Sequence, residues 1–210
     1  MTRTVTIPPG LTGDLTIPPN AKGIVLFAHG SGSSRLSPRN RFVAGALQST
    51  GLATLLIDLL TPEEERFDRA TAHLRFDIGF LAERLLDTTD WLHSTPETGA
   101  LRIGYFGAST GAGAALAAAA SRTELIGAVV SRGGRPDLAG DALTEVQAPV
   151  LLIVGGDDDV VIELNQNAFA QLRGEKKLEI VPGASHLFEE PGTLEQVADL
   201  AANWFTSHLS

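Results

Sequence analysis

A serine, two histidines and a run of aspartates are the residues of this chain whose surroundings could support chemistry. Ser109 stands in Gly107-Ala108-Ser109-Thr110-Gly111, between an apolar, β-rich run at 101–106 and a small-residue run at 112–120. That order predicts a strand, a sharp turn and a helix, with the serine at the corner. A serine on such an elbow is held in a strained conformation that lifts its hydroxyl clear of the sheet edge. The flanking glycines leave room where any Cβ would meet the adjacent strand or helix. A hydroxyl is a poor nucleophile at its own pKa, so it needs a base beside it and a third group to orient that base.

Five histidines are present, of which His73, His93 and His208 fall on or near predicted helices and read as solvated surface residues. His29 and His186 each follow a predicted strand. His186 comes after 177–181 through Pro182-Gly183-Ala184-Ser185, where a loop can carry the imidazole back over the sheet edge. Its near-neutral pKa suits a proton acceptor for serine. The preceding strand, 149–154, runs into Gly155-Gly156-Asp157-Asp158-Asp159. Three consecutive side chains cannot all face one imidazole, so one aspartate would orient it and the others would be solvated. A metal site is disfavoured there, because hard-cation loops space their ligands at alternating positions.

The elements that must position these groups alternate. Residues 2–20 read as a hairpin at a sheet edge, broken by Pro8-Pro9-Gly10 and Pro18-Pro19-Asn20. A buried strand at 23–28 is followed by a Gly/Ser loop and then a helix with Ser37 as N-cap and Pro38 at its first position. Further strands are expected at 52–59, 125–131, 149–154 and 177–181, and helices at 72–93, around 165–172 and at 194–208. The acidic segment 61–69, with Glu63-Glu64-Glu65, reads as an exposed, solvated loop. Trp91 and Trp204 lie on predicted helices as core or partly buried anchors. Strand–helix alternation from residue 23 onward predicts an α/β fold, a mostly parallel central sheet with helices on both faces, in one domain spanning 1–210. Only about eighteen residues separate Ser131 from Pro149, too few for a lid domain.

Composition narrows the partners. The 210 residues are 43% hydrophobic and 20% charged, as in a globular protein with a substantial core. A net charge of −9 argues against a nucleic-acid surface. There is no cysteine, which excludes disulfides and thiol nucleophiles. No apolar run approaches the ~20 residues that span a bilayer, and the N-terminus lacks the apolar core of a signal peptide. A cytoplasmic protein with no cofactor, no metal and no membrane partner is the expectation.

Nucleophile, acid and histidine in that chain order, with His29-Gly30-Ser31-Gly32, the elbow at 107–111, Gly155 followed by Asp158 and Val161, and Gly183-Ala184-Ser185-His186, give a specific likeness. From residue 20 onward the chain resembles α/β-hydrolases, in particular the small dienelactone-hydrolase-like group. The resemblance implies a catalytic set of Ser109, Asp158 and His186, with Asp157 as the alternative acid. Two backbone donors must hold the oxyanion. One is the N–H of Thr110, at the start of the helix behind the serine. The other, by resemblance, is the N–H of Ser31, with His29 buttressing the loop. Dienelactone hydrolases proper use a cysteine nucleophile, so the implied activity is that of a serine hydrolase of small carboxylic esters, thioesters or lactones.

Ser131-Arg132-Gly133-Gly134-Arg135 follows a strand at the same sheet edge, so Arg132 and Arg135 are candidate contacts for a substrate carboxylate. Arg35, Arg39 and Arg41 lie near the oxyanion loop. Two other classes have some footing in the sequence. A dinucleotide site is poorly matched, because Arg35 occupies the third glycine position and Asp58 lies beyond the expected spacing. A hydrolase fold kept for binding or regulation is the second alternative.

Overall fold

Alternate residues of each central strand are apolar on both faces, and that pattern demands a covered sheet. The computed structural model, which describes residues 1–209, has eight strands: β1 (Thr2–Ile7), β2 (Leu11–Thr16), β3 (Gly23–Ala28), β4 (Ala53–Ile57), β5 (Arg102–Ala108), β6 (Ile126–Arg132), β7 (Val150–Gly155) and β8 (Lys176–Val181). Their spatial order is β1-β2-β4-β3-β5-β6-β7-β8. β1 and β2 pair antiparallel with each other, and β2 pairs antiparallel with β4; every pairing from β4 through β8 is parallel. The N-terminal hairpin therefore forms one edge.

Side-chain alternation sends the strands' apolar residues to two cores. Ile24, Leu26, Ile103, Tyr105, Val150 and Leu152 pack on one face with the helices α3 (Ile78–Ser94), α4 (Thr110–Ser121) and α5 (Asp159–Gln171). Val25, Phe27, Phe106, Leu151 and Ile153 face α1 (Pro38–Ser49) and α6 (Thr193–Leu209). At about 25 cal/mol per Å², these two layers are the main source of stability. The Ala-rich α4 is buried along most of its length because its small side chains let it lie against the sheet centre. Tyr105, the largest fully buried side chain, satisfies its hydroxyl through Thr89 Oγ1 at 2.6 Å. No helix among the described residues is long and apolar enough to cross a membrane.

Several local expectations are corrected. Residues 61–69 are no loop: Pro62–Thr71 is a helix, α2 in chain order. Thr61 caps it, accepting from the Glu64 N–H while Glu64 Oε2 accepts from the Thr61 N–H, a reciprocal capping box. The acidic run occupies the first turn, where it complements the helix dipole, and Glu64 also pairs with Arg84. The helix expected at 72–93 begins only at Ile78, because Ala72 closes α2 in the left-handed region and Asp77 caps α3 through the Phe80 N–H. A short 3₁₀ turn, Leu74–Phe76, fills the gap. His208 is only partly solvated: its ring packs 4.5 Å from that of Trp204 and bonds the Trp204 carbonyl. Between β6 and β7 lies a 3₁₀ segment, Pro136–Glu145.

Candidate active site

β5 ends at Ala108 and α4 begins at Thr110, leaving Ser109 between them at φ 50°, ψ −122°. A non-glycine residue in such a region costs roughly 1–3 kcal/mol and persists only where its surroundings over-determine it. Here the Ser109 N–H donates to the Arg132 carbonyl, and the Ser109 carbonyl accepts from Ala112 and Arg135. The chain can turn this tightly because Gly107 lies against the backbone of Ala112, and Gly111 against the carbonyls of Ala28 and His29. A Cβ at either position would collide with backbone.

The loop after β8 brings His186 to the same strand ends. Its Nδ1 lies 2.7 Å from Asp158 Oδ2. Asp158 immediately precedes α5, yet its side chain makes no cap bond, so the carboxylate is left to the imidazole. Asp157 and Asp159 are exposed, whereas the Asp158 side chain retains 16% of its accessible surface. Gly133, at φ 50°, leaves room for the histidine: a Cβ there would lie 3.0 Å from the His186 carbonyl. The loop is braced by Glu190, which accepts the Ser185 N–H at 3.0 Å. Those Ser185 contacts hold the Glu190 carboxyl below the usual range. Glu190 escaped sequence reading because nothing marks it apart from neighbouring acids.

Ser109 and His186 line one cleft of about 250 Å³, together with Gly30, Ser31, Asn40 and Arg132. Thr110 is the first residue of α4, so its N–H has no partner inside the helix. Ser31 departs from expectation. Its N–H donates to Thr110 Oγ1 at 2.9 Å, so the amide expected to be a second oxyanion donor is already engaged. The cause is the residue type after the serine: a hydroxyl there reaches the loop amide opposite.

His29 is not among the residues that line this cleft. It accepts the Leu59 N–H on Nε2 at 3.1 Å, which places its proton on Nδ1, 2.9 Å from the Gly30 carbonyl. Burial lowers its pKa, which keeps the ring neutral.

The arginines separate into two groups. Arg135 is held away by two bonds to Asp137, at 2.8 and 2.7 Å, and is not among the cleft's lining residues, contrary to its proposed carboxylate role. Arg35 pairs with Asp58, and Arg41 with Asp14. Arg132 and Arg39 do line the cleft. Arg132 is only 6% exposed, and its side chain bonds Asn40 Oδ1 at 3.3 Å.

Known proteins share this fold. A dienelactone hydrolase from Anabaena variabilis superposes with a TM-score of 0.97 at 62% identity, covering 100% of this chain and 98% of that one. Est1E from Butyrivibrio proteoclasticus shares the fold at a TM-score of 0.81 and 16% identity, over 99% of this chain and 98% of its own. Proteins of Mycobacterium tuberculosis, provisionally named phosphoribosyl transferases, are 63% identical over 202 residues. That match takes in 96% of this chain but 45% of theirs, so the chain spans about half the length of these relatives. The family model for dienelactone hydrolases matches residues 11–207, and the chain belongs to the dienelactone hydrolase family of hydrolases.

Proposed function

We propose that the protein is a serine hydrolase that cleaves small carboxylic esters, thioesters or lactones through an acyl-enzyme on Ser109. The observation that carries this reading is the Asp158–His186 bond at 2.7 Å beside a cleft that His186 shares with the strained Ser109. In the first half-reaction His186 Nε2 takes the Ser109 proton as Oγ bonds to the ester carbonyl carbon. Asp158 accepts from Nδ1–H and stabilises the imidazolium. The carbonyl electrons move onto oxygen, facing the Thr110 N–H. When they return, the bond to the leaving oxygen or sulfur breaks and His186 protonates that atom. Water, deprotonated by the same histidine, then attacks the acyl carbon, releasing the acid and restoring Ser109.

The resting site is half-made, because Thr110 Oγ1 occupies the Ser31 N–H. Substrate oxygen must displace that hydroxyl to gain a second donor. The absence of a long insertion between β6 and β7 favours small esters over long-chain lipids, and Arg132 suits a substrate with an anionic group. The transferase name belongs to proteins about twice as long; the half that this chain matches we assign to hydrolysis. A second reading, a binding protein on a silent hydrolase fold, draws on the engaged Ser31 amide alone. A panel of p-nitrophenyl esters and lactones of graded length and charge tests the proposal. Ser109→Ala should abolish turnover while leaving the circular dichroism spectrum and melting temperature near wild type. Undiminished ester hydrolysis in that variant would sink the proposal.

A further inference from the structure

Part of the Ser109 cleft carries positive charge with little to neutralise it. Arg132 ends β6 and is paired in register with Ala108, so it stands one strand over from the elbow. Its guanidinium lies 5.9 Å from the Phe188 ring centroid and donates to Asn40 Oδ1; among the described residues it forms no ion pair with a carboxylate. Arg39 lines the same cleft, and its carboxylate partner, Glu189, is 62% exposed. Arg39 Nε is buried with no hydrogen-bond partner in the described residues. Asp158 is turned to His186. Burial, then the Arg39 charge, pull the Arg132 pKa down to about 10, which still leaves it cationic at neutral pH. A buried charge without a counter-charge is expensive, and Arg132 is placed as if its counter-charge arrives with a ligand.

Neutral donors surround the two cations. Asn40 gives its oxygen to Arg132, which leaves its NH₂ free to donate. Ser37 accepts the Asn40 N–H, and its own O–H remains available. Ser37 caps the twelve-residue α1 and Asn40 lies in its first turn, and the positive end of that helix's dipole lies at this cleft. A monocarboxylate would meet Arg132 alone and leave Arg39 with the solvent-exposed Glu189. A phosphate monoester brings up to two charges near neutral pH and three strong acceptor oxygens, enough for both guanidiniums and a neutral donor.

We infer that Arg132, Arg39, Asn40 and Ser37 form a subsite for a doubly charged, phosphate-type group on the substrate, next to the ester that Ser109 attacks. The assignment rests on Ser109 being the nucleophile and names the substrate class of that site. It is tested with p-nitrophenyl esters of butyrate, hemisuccinate and 3-phosphonopropionate, which carry zero, one and two negative charges on similar chains. The phosphonate ester should exceed the butyrate ester at least tenfold in kcat/KM, with the hemisuccinate between them. Arg132→Gln, or Arg39→Gln if the buried site does not tolerate the first change, should reduce that preference at least tenfold. Separately, inorganic phosphate at fixed ionic strength should raise the melting temperature of the wild type more than that of Arg39→Gln, a readout that needs no turnover. Butyrate turned over as well as the phosphonate, or no phosphate-specific stabilisation, overturns the subsite while leaving Ser109 untouched. Phosphate stabilisation without any ester hydrolysis would support the subsite and remove the serine reading instead.

Discussion

Replacing Thr110 by valine should make the protein a faster hydrolase, an outcome opposite to that of most changes beside a nucleophile. Valine keeps the β-branched shape at the first position of α4 but removes the hydroxyl that holds the Ser31 N–H at 2.9 Å. A neutral hydrogen bond at a partly exposed site contributes about 0.5–1.5 kcal/mol net. If substrate must break it before Ser31 can donate to the oxyanion, the same quantity sits in the barrier. Removing it should raise kcat/KM about two- to twelvefold, since about 1.4 kcal/mol is a factor of ten. The upper figure is a ceiling, because Ser31 is exposed and water can take the vacated place. The assay is initial-rate hydrolysis of a p-nitrophenyl ester, alongside amide hydrogen exchange at Ser31, which should quicken in the variant. Thr110→Ser retains the hydroxyl and should move the rate less than valine does. A fall in kcat/KM for Thr110→Val, with Ser31 exchange quickened, would refute the reasoning and make the hydroxyl a donor to the oxyanion itself.

Two further outcomes follow from the surroundings of Asp158 and His29. Asp158→Asn removes the negative charge 2.7 Å from His186 Nδ1 and, by allowing the wrong imidazole tautomer, should lower kcat on the order of 10⁴-fold with little change in KM, whereas Asp157→Asn, at an exposed position, should cost less than a tenth of that. His29 resists protonation in the folded state because it is buried, while in the unfolded chain it titrates near 6.5. Stability should therefore be fullest above that value and fall as pH drops from about 6.5 toward the lower folded pKa. His29→Asn should remove this component from a urea-denaturation pH series, and an unchanged acid limb would count against it.

The parts of the fold that were legible in sequence are those set by local pattern. Two-faced apolar strands, the Ser37-Pro38 helix start and the glycines around Ser109 each encode their geometry within a few residues. α2 was missed although its signal was equally local. Thr61-Pro62-Glu63-Glu64 is a helix start before it is an acidic run. Asp77 caps α3 at a point where the hydrophobic period continues across it, so the pattern alone does not mark the boundary. The condition of the site lies beyond local pattern. Ser31 meets Thr110 across 79 residues, and Arg132 meets Asn40 across 92. Whether an amide is free or a guanidinium unpaired depends on such pairs. Arg132 and Arg135 look alike in sequence, but only Arg135 has an aspartate two residues away to claim it.

The account turns on Ser109 as nucleophile, and a covalent adduct tests this without knowledge of the natural ester. Purified protein treated with a fluorophosphonate should gain one phosphonyl group, which peptide mass spectrometry should place on Ser109. His186→Ala should slow the labelling, and Ser109→Ala should abolish it. No adduct on the folded wild type, or an adduct on any other residue, would contradict the proposed chemistry.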